Sequence, residues 1–335
     1  MTSDTPMPPD AAASSARTGG GLLTGLSAFP LTPVTDDTAG GVDERAYSNL
    51  VVRLADVGVD SITALGSTGS YAYLNRDERR RVVELTVAAA GEVPVIAGIG
   101  SIRTRDVLQH AQDAQAAGAT ALLLAPMSYQ PLTEDEVYGL FADVDAASSV
   151  PLVVYDNPGT THFTFTDALH ARIAQLPHVA SIKIPPVDGG PAVLAQRVAG
   201  LRAEVPTDVT IGISGDPVAA DALNSGCDAW YSVLAGTLPD PCRAIVAAAA
   251  DGDATLAADL STRLTPLWEL FATYGSYRVV SALAEELHLV RHPNLPRPVR
   301  GLDETGRRRL RHAMTTLRAA GVLDSAADDP GPRRS

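Results

Sequence analysis

The hexapeptide Ser181-Ile182-Lys183-Ile184-Pro185-Pro186 has the composition of a short buried β-strand that carries one lysine near its end and stops at a Pro-Pro pair. An ammonium group on a buried strand is costly unless a carboxylate pairs with it. The nearest carboxylate in the sequence is Asp188, beyond the Pro-Pro pair. Lys183 therefore either extends towards solvent at the strand end or serves as an amine nucleophile. This segment alone does not decide between the two.

This strand is the sixth of eight short apolar runs that alternate with segments of helical periodicity. The runs cover residues 22–31, 61–65, 93–98, 121–126, 151–155, 179–184, 209–214 and 228–233. They recur roughly every 30 residues, which is the size of a βαβ unit. Eight such units in succession predict a closed parallel (β/α)8 barrel, the TIM-barrel fold. An open dinucleotide-binding sheet fits less well, because the first turn, residues 29–34, lacks a G-x-G-x-x-G motif.

The ends of the chain differ in composition from this repeating part. Residues 1–20 are rich in Pro, Ala, Ser and Thr without the apolar centre of a signal peptide, and they predict a disordered leader. The barrel is expected over residues 21–238. Residues 239–322 are predicted to form C-terminal helices packed on the barrel as an appended bundle, and residues 323–335 a flexible tail.

The charge and the cysteines narrow the classes of function. The chain has 335 residues, and 26 basic against 39 acidic side chains give a net charge of −13. This argues against nucleic acid or an anionic membrane as the partner, because both require a basic surface. No apolar run approaches the ~20 residues of a membrane span. Cys227 and Cys242 form neither a disulfide framework nor a metal-like spacing, so we expect a cytoplasmic protein.

In a barrel of this kind the chemistry lies at the carboxyl ends of the strands. That rule selects residues 66–70, residues 126–131, Tyr155 and Lys183. Tyr155 and Lys183 are one unit apart, so their strands should be neighbours and their side chains should share one end of the barrel. A lysine amine with a lowered pKa condenses with ketones, and a neighbouring phenol is suited to moving the protons. The glycine-rich turn at 66–70 is suited to holding a carboxylate.

Four motifs carry a resemblance to a known family. They are Gly66-Ser67-Thr68-Gly69, the segment 155–161 (YDNPGTT), Ile182-Lys183, and the pair formed by Ser214-Gly215-Asp216 and the segment 226–233 (GCDAWYSV). In this order, and over about residues 21–320, the chain resembles the dihydrodipicolinate synthase / N-acetylneuraminate lyase family of class I, Schiff-base-forming aldolases.

The resemblance implies a role for each matching residue. Lys183 would form the Schiff base with pyruvate or another 2-keto acid, and Tyr155 would shuttle protons. Ser67 would join the proton relay, and the Ser67-Thr68-Gly69 turn would hold the carboxylate of the keto acid. Tyr231 would line the keto-acid pocket. The resemblance also implies an aldehyde as second substrate and a homodimer or homotetramer.

Four positions depart from the family pattern. Thr160 stands where the synthases have an arginine that binds the carboxylate of the aldehyde. Ser128 stands where a tyrosine crosses a dimer contact to complete the relay, and Tyr129, one residue later, is a candidate substitute. Tyr129 and Thr160 are counted among the expected substrate-binding residues. Ser70 replaces a glutamate. Asp156 replaces an asparagine, and it either orients a proton donor or caps the turn after its strand; we favour the turn.

These departures leave several functions open. We expect a lyase that is like the synthases but uses a different aldehyde or a sugar acid. The alternatives are a true 4-hydroxy-tetrahydrodipicolinate synthase and a catalytically silent keto-acid binder. A pyridoxal-phosphate enzyme would need a phosphate cradle that the sequence lacks. We expect no cofactor and no metal, since His162, His170 and His178 show no recognised ligand spacing.

Overall fold

The computed structural model describes residues 22–35 and 41–323. The predicted leader and all of the predicted tail after Leu323 lie outside these ranges. Eight parallel strands form a closed barrel, which confirms the predicted fold. The barrel strands are β1 (Gly25–Ala28), β2 (Ser61–Ala64), β3 (Val95–Gly98), β4 (Ala121–Leu124), β5 (Leu152–Tyr155), β6 (Val179–Ile184), β7 (Thr210–Ile213) and β8 (Ala229–Ser232).

The strands follow one another around the barrel in sequence order. The barrel closes where β1 pairs with both β8 and β2. Tyr155 and Lys183 are direct partners in the register between β5 and β6, so the expected neighbourhood is present. Almost every strand residue is buried, because helices cover the outside and side chains fill the inside. A separate pair of two-residue strands, Val34–Thr35 and Gly41–Val42, lies outside the barrel.

Twelve helices of six or more residues accompany the strands in the described ranges. They are α1 (Glu44–Val57), α2 (Arg76–Ala89), α3 (Thr104–Ala116), α4 (Glu134–Ala147), α5 (Asp167–Ile173), α6 (Pro191–Glu204), α7 (Ala219–Asn224), α8 (Pro239–Ala250), α9 (Ala254–Arg263), α10 (Thr265–Tyr274), α11 (Ser276–Glu286) and α12 (Glu304–Ala319). Reciprocal capping boxes open α2, at Asn75 and Glu78, and α4, at Thr133 and Glu136. Each box satisfies two backbone donors that the first turn of a helix leaves free.

The helices after β8 fall into two groups. Helix α8 completes the eighth unit and packs against β1 and α1. Helices α9 to α12 follow it, and α12 buries Leu310, Met314 and Leu317 in an interface with α10 and α11. The segment 287–303 between α11 and α12 contains neither a helix nor a strand. The boundary that we place at residue 238 stays a prediction.

The described helices are all too short or too polar to cross a lipid bilayer.

Candidate active site

A cavity of about 690 Å³ opens at the carboxyl end of the barrel. Six of the side chains that the sequence selected line it together: Ser67, Thr68, Tyr155, Thr160, Lys183 and Tyr231. They come from β5, β6 and β8 and from the segments after β2 and β5. The cavity therefore lies where the barrel rule places it.

Lys183 lies on β6 with its side chain inside the barrel and only 3% exposed. Its Nζ is 4.4 Å from the ring centroid of Tyr155, 5.2 Å from that of Phe29 and 5.7 Å from that of Tyr231. Within the described residues, no carboxylate forms an ion pair with it. The alternative that Lys183 extends into solvent is therefore wrong.

Burial controls the charge of this amine. Desolvation lowers the pKa of Lys183 to about 7, and the carboxyl groups of Asp216 and Asp156 oppose that shift only in part. A large fraction of the side chain is then neutral near pH 7, and the neutral amine is the nucleophilic form.

Tyr155 belongs to a small hydrogen-bonded group beside the amine. Its hydroxyl lies 3.3 Å from Ser67 Oγ, and Asn157 Nδ2 donates to it over 2.9 Å. Asn157 Nδ2 also lies 3.4 Å from Ser67 Oγ. Burial raises the pKa of Tyr155, whereas the contacts with Ser67 and Asn157 lower it by stabilising the phenolate. Asn157 was not among the predicted site residues, although it lies inside the Tyr155 motif.

The turn after β2 has an unusual backbone. Leu65 and Ser70 adopt left-handed conformations, with φ of 58° and 61°, which non-glycine residues rarely do. Gly69 does not line the cavity; a Cβ there would lie 2.9 Å from the backbone nitrogen of Leu65, so the tight turn itself requires glycine. Thr68 is buried and, with Ser67, faces the cavity.

Tyr231 is fixed by partners on two neighbouring strands. Its hydroxyl lies 2.7 Å from Ser181 Oγ on β6, and both groups are buried. Its ring occupies space left by Gly212 on β7, since a Cβ on Gly212 would lie 2.3 Å from the ring. Phe29 meets the same ring edge-on, with 6.0 Å between centroids. These contacts hold one side of the pocket around Lys183.

Asp216 is a buried carboxylate in the cavity wall. In the sequence it stood out only as part of the Ser214-Gly215-Asp216 motif. It accepts hydrogen bonds from Trp230 Nε1 over 2.9 Å and from the backbone nitrogen of Leu234 over 2.8 Å. Burial raises its pKa, and these hydrogen bonds counteract the rise. Its charge in turn raises the pKa of Lys183.

Asp156 does not cap the turn after β5, so that prediction is wrong. Its carboxylate is 4% exposed, Oδ1 accepts no hydrogen bond within the described ranges, and Oδ2 lies 3.5 Å from Nε2 of His170. His170 is fully buried and stacks on Phe165 with 4.9 Å between ring centroids. Burial raises the pKa of Asp156 to about 7 and lowers that of His170 to about 4. The carboxyl group therefore lies against His170 of α5.

Tyr129 lies apart from this group. Its side chain is 88% exposed, and it does not line the cavity. Ser128 Oγ donates to the carbonyl of Gln130 in its own loop. Neither residue completes a relay to Tyr155 within the described part of this single chain.

The C-terminal helices supply one wall of the cavity, which was not predicted from the sequence. Trp268 and Phe271 of α10 and Tyr277 of α11 all line the cavity. The sequence predicted these helices only as a bundle packed on the barrel. Large apolar residues stand at 267, 268, 270 and 271, and together they cover more of the helix surface than one packing interface needs. This broad apolar surface was the sequence feature that could have indicated a second contact.

Two further observations concern the chemistry of the whole chain. In residues 22–35 and 41–323, no group of three or more His, Cys, Asp or Glu side chains is placed to hold a metal ion. Among the 26 basic residues of the sequence, Lys183 is the single lysine. The one primary side-chain amine of the chain thus lies in the cavity.

Comparison with known proteins agrees with this geometry. A family model described as the dihydrodipicolinate synthetase family matches residues 22–317. A solved dihydrodipicolinate synthase from Agrobacterium tumefaciens is 45% identical, covers 91% of this chain and 99% of its own, and superposes with a TM-score of 0.84. A 4-hydroxy-tetrahydrodipicolinate synthase of Halorhodospira halophila is 31% identical over 90% of this chain and 98% of the relative. A dihydrodipicolinate synthase from Acinetobacter baumannii, solved in complex with pyruvate, is 26% identical over 90% of this chain and 100% of that one, with a TM-score of 0.78. The chain belongs to the dihydrodipicolinate synthetase family.

Proposed function

We propose that the protein forms a Schiff base between Lys183 and pyruvate or a related 2-keto acid. Members of its family are Schiff-base-forming lyases, and this chain is one of them. The observation that carries the assignment is the buried, unpaired Lys183 amine, 4.4 Å from the ring centroid of Tyr155. The pyruvate in the structure of the Acinetobacter relative supports the choice of keto acid.

In this proposal Tyr155 moves the protons. It gives its proton to the hydroxyl that leaves the carbinolamine as water, and Asn157 and Ser67 stabilise the resulting phenolate through their hydrogen bonds. The phenolate then removes a methyl proton from the iminium, which forms a nucleophilic enamine. Thr68 and Ser67 hold the carboxylate of the keto acid at the turn after β2.

The identity of the second substrate is a separate part of the proposal. The relatives named as synthases favour the true synthase reaction as an alternative. Thr160 lines the cavity where the synthases place an arginine, and a neutral threonine cannot form the bidentate contact of a guanidinium with a carboxylate. We therefore propose an aldehyde or sugar acid other than the synthase substrate.

The direct test is reduction of the protein with borohydride in the presence of pyruvate, followed by intact mass and peptide mapping. Because Lys183 is the single lysine, an adduct within peptide 173–197 identifies the site without ambiguity. The Lys183→Arg variant keeps the positive charge but cannot form the adduct, so it is the matched control. If the wild-type protein gains no pyruvate adduct at Lys183, the proposal fails.

A silent keto-acid binder is the second candidate, and the position of Tyr129 outside the cavity favours it. Exchange of the pyruvate methyl protons in deuterated buffer separates the two functions. An enzyme exchanges them through the enamine, whereas a silent binder forms the adduct without exchange.

Assembly and location are further proposals. We propose a homodimer or homotetramer in the cytoplasm, in which a partner subunit covers the exposed Tyr129. Sedimentation equilibrium of the wild-type protein and of a Tyr129→Ser variant tests the assembly. A monomeric wild-type protein would contradict it.

A further inference from the structure

The wall that α10 and α11 add to the cavity presents carbon surface. We call Trp268, Phe271, Ala272 and Tyr277 the helical wall. Trp268 and Phe271 are each 9% exposed, and their ring centroids are 5.5 Å apart. Met127 and Val233 add further apolar surface from the loops after β4 and β8. A ligand in contact with these groups is surrounded mainly by rings and alkyl groups.

The polar atoms of the helical wall are already occupied. Trp268 Nε1 donates over 3.0 Å to the carbonyl of Ser261, which lies in α9. The hydroxyl of Tyr277 lies 2.5 Å from Ser70 Oγ. The aromatic rings therefore remain as the free part of both side chains.

The cavity offers no cation for a second carboxylate. Apart from tyrosines, the ionisable side chains in the described lining are Lys183 and Asp216. In the proposed function Lys183 is bonded covalently to the keto acid, and Asp216 is itself acidic. A second carboxylate placed against the buried rings would lose water without gaining a partner of opposite charge, which costs free energy.

Two hydroxyl groups of the cavity lining already donate hydrogen bonds within the protein. Ser214 Oγ donates to the carbonyl of Ile184 over 2.9 Å, and Thr160 Oγ1 donates to that of Asn157 over 3.4 Å. Neither hydroxyl can then donate to a sugar without giving up its present hydrogen bond.

We propose that the second reactant is an uncharged aldehyde with an aromatic or branched apolar substituent, which binds against the helical wall. This inference rests on the proposed function, since its nucleophile is the enamine on Lys183. The enamine carbon forms a bond to the aldehyde carbon, and the aldehyde oxygen takes the proton of Tyr155. Water then hydrolyses the iminium, which releases a 4-hydroxy-2-keto acid, restores the lysine amine and returns a proton to Tyr155.

The test compares an apolar, an anionic and a hydroxylated aldehyde. The purified full chain is incubated with pyruvate and either benzaldehyde, 4-formylbenzoate or glyceraldehyde, and the condensation products are quantified by mass spectrometry. We expect kcat/KM for benzaldehyde to exceed the other two values about tenfold or more. A higher value for the anion or for the polyol overturns the proposal.

Variants at one exposed position isolate the effect of charge. Thr160→Arg should raise kcat/KM for 4-formylbenzoate about tenfold or more over Thr160→Gln, which has similar length and no charge. Equal values for the two variants would show that charge does not govern the choice and would overturn that part of the inference.

Different results would contradict the apolar aldehyde and the Schiff base on Lys183. A borohydride-trapped pyruvate adduct at Lys183, with preference for charged or hydroxylated aldehydes, overturns only the present inference. Absence of the adduct overturns the proposed function as well.

Discussion

Lys183 is a residue whose reactivity should change near neutral pH. Condensation requires the neutral amine, and burial places the pKa of Lys183 at about 7. We therefore expect the rate of adduct formation with pyruvate to rise with pH around a midpoint near 7. The measurement is the amount of adduct after a fixed short incubation at each pH, reduced by borohydride at one common pH. A midpoint near the ~10.4 of an exposed lysine would contradict this expectation.

Asp156 should make the folded protein less stable as the pH rises. The pKa of its carboxyl group is about 7 in the folded chain, against an ordinary value of 3.8. Between these values the folded state holds a proton that the unfolded state has released, so unfolding becomes more favourable with increasing pH. The loss is complete above about pH 7 and absent below about pH 3.8.

The Asp156→Asn variant should remove this dependence. We expect it to be more stable than the wild type at pH 8 by about 1–3 kcal/mol and to have similar stability near pH 4. Urea denaturation at both pH values is the measurement. The same variant should shift the midpoint of adduct formation to lower pH, because the charge of Asp156 raises the pKa of Lys183. Equal urea midpoints for the two proteins at pH 8 would contradict the buried, unpaired carboxylate.

At the scale of elements, the packing of β6, β7 and β8 depends on one missing side chain. Gly212 is the register partner of Lys183, and a Cβ there would meet the ring of Tyr231 at 2.3 Å. We expect Gly212→Ala to displace that ring and break its contact with Ser181, with a loss of about 1–3 kcal/mol of stability and slower adduct formation. Thermal unfolding and the pyruvate assay measure the two effects.

Gly139 provides the control for this substitution. It lies within α4, and an added Cβ there would have no neighbour within 4 Å. Gly139→Ala should therefore stabilise the protein by roughly 0.5–1 kcal/mol through helix propensity. If both alanine variants behaved alike, the close approach of Tyr231 to β7 would not be the cause.

The same elements show what could be predicted from sequence. The strands were predictable because each is an apolar run at a regular distance from the next, and both capping boxes were visible as short motifs. Residues 239–322 are predicted to form helices, yet the segment 287–303 is irregular and contains the prolines at 293, 296 and 298. In the site, Tyr155 and Lys183 were predictable because each is a reactive side chain at the carboxyl end of a barrel strand.

Two features of the site were not predictable, because they depend on contacts between distant segments. The position of Asp156 beside His170 is set by the packing of α5 against the barrel, which no local motif records. The helical wall arises from helices that follow the last strand, and their apolar residues look the same whether they face a core or a cavity.

At the scale of the whole molecule, the C-terminal helices are tied to the barrel through the cavity wall. The hydroxyl of Tyr277 on α11 contacts Ser70 in the turn after β2. We expect Tyr277→Phe to cost about 1 kcal/mol and to increase hydrogen–deuterium exchange in both α11 and residues 70–74. Exchange that increased in only one of the two segments would contradict a mechanical link between them.

The single lysine has a consequence for handling the protein. Reagents that couple proteins to dyes, beads or sensor chips usually attack lysine side chains, and this chain offers them only Lys183, which is 3% exposed. Under mild conditions such coupling should be confined to the α-amino group and attach each molecule at a single point. Amine reagents small enough to enter the cavity should instead measure the number of active sites. Prior borohydride reduction in the presence of pyruvate would convert Lys183, the one primary side-chain amine, into a secondary amine.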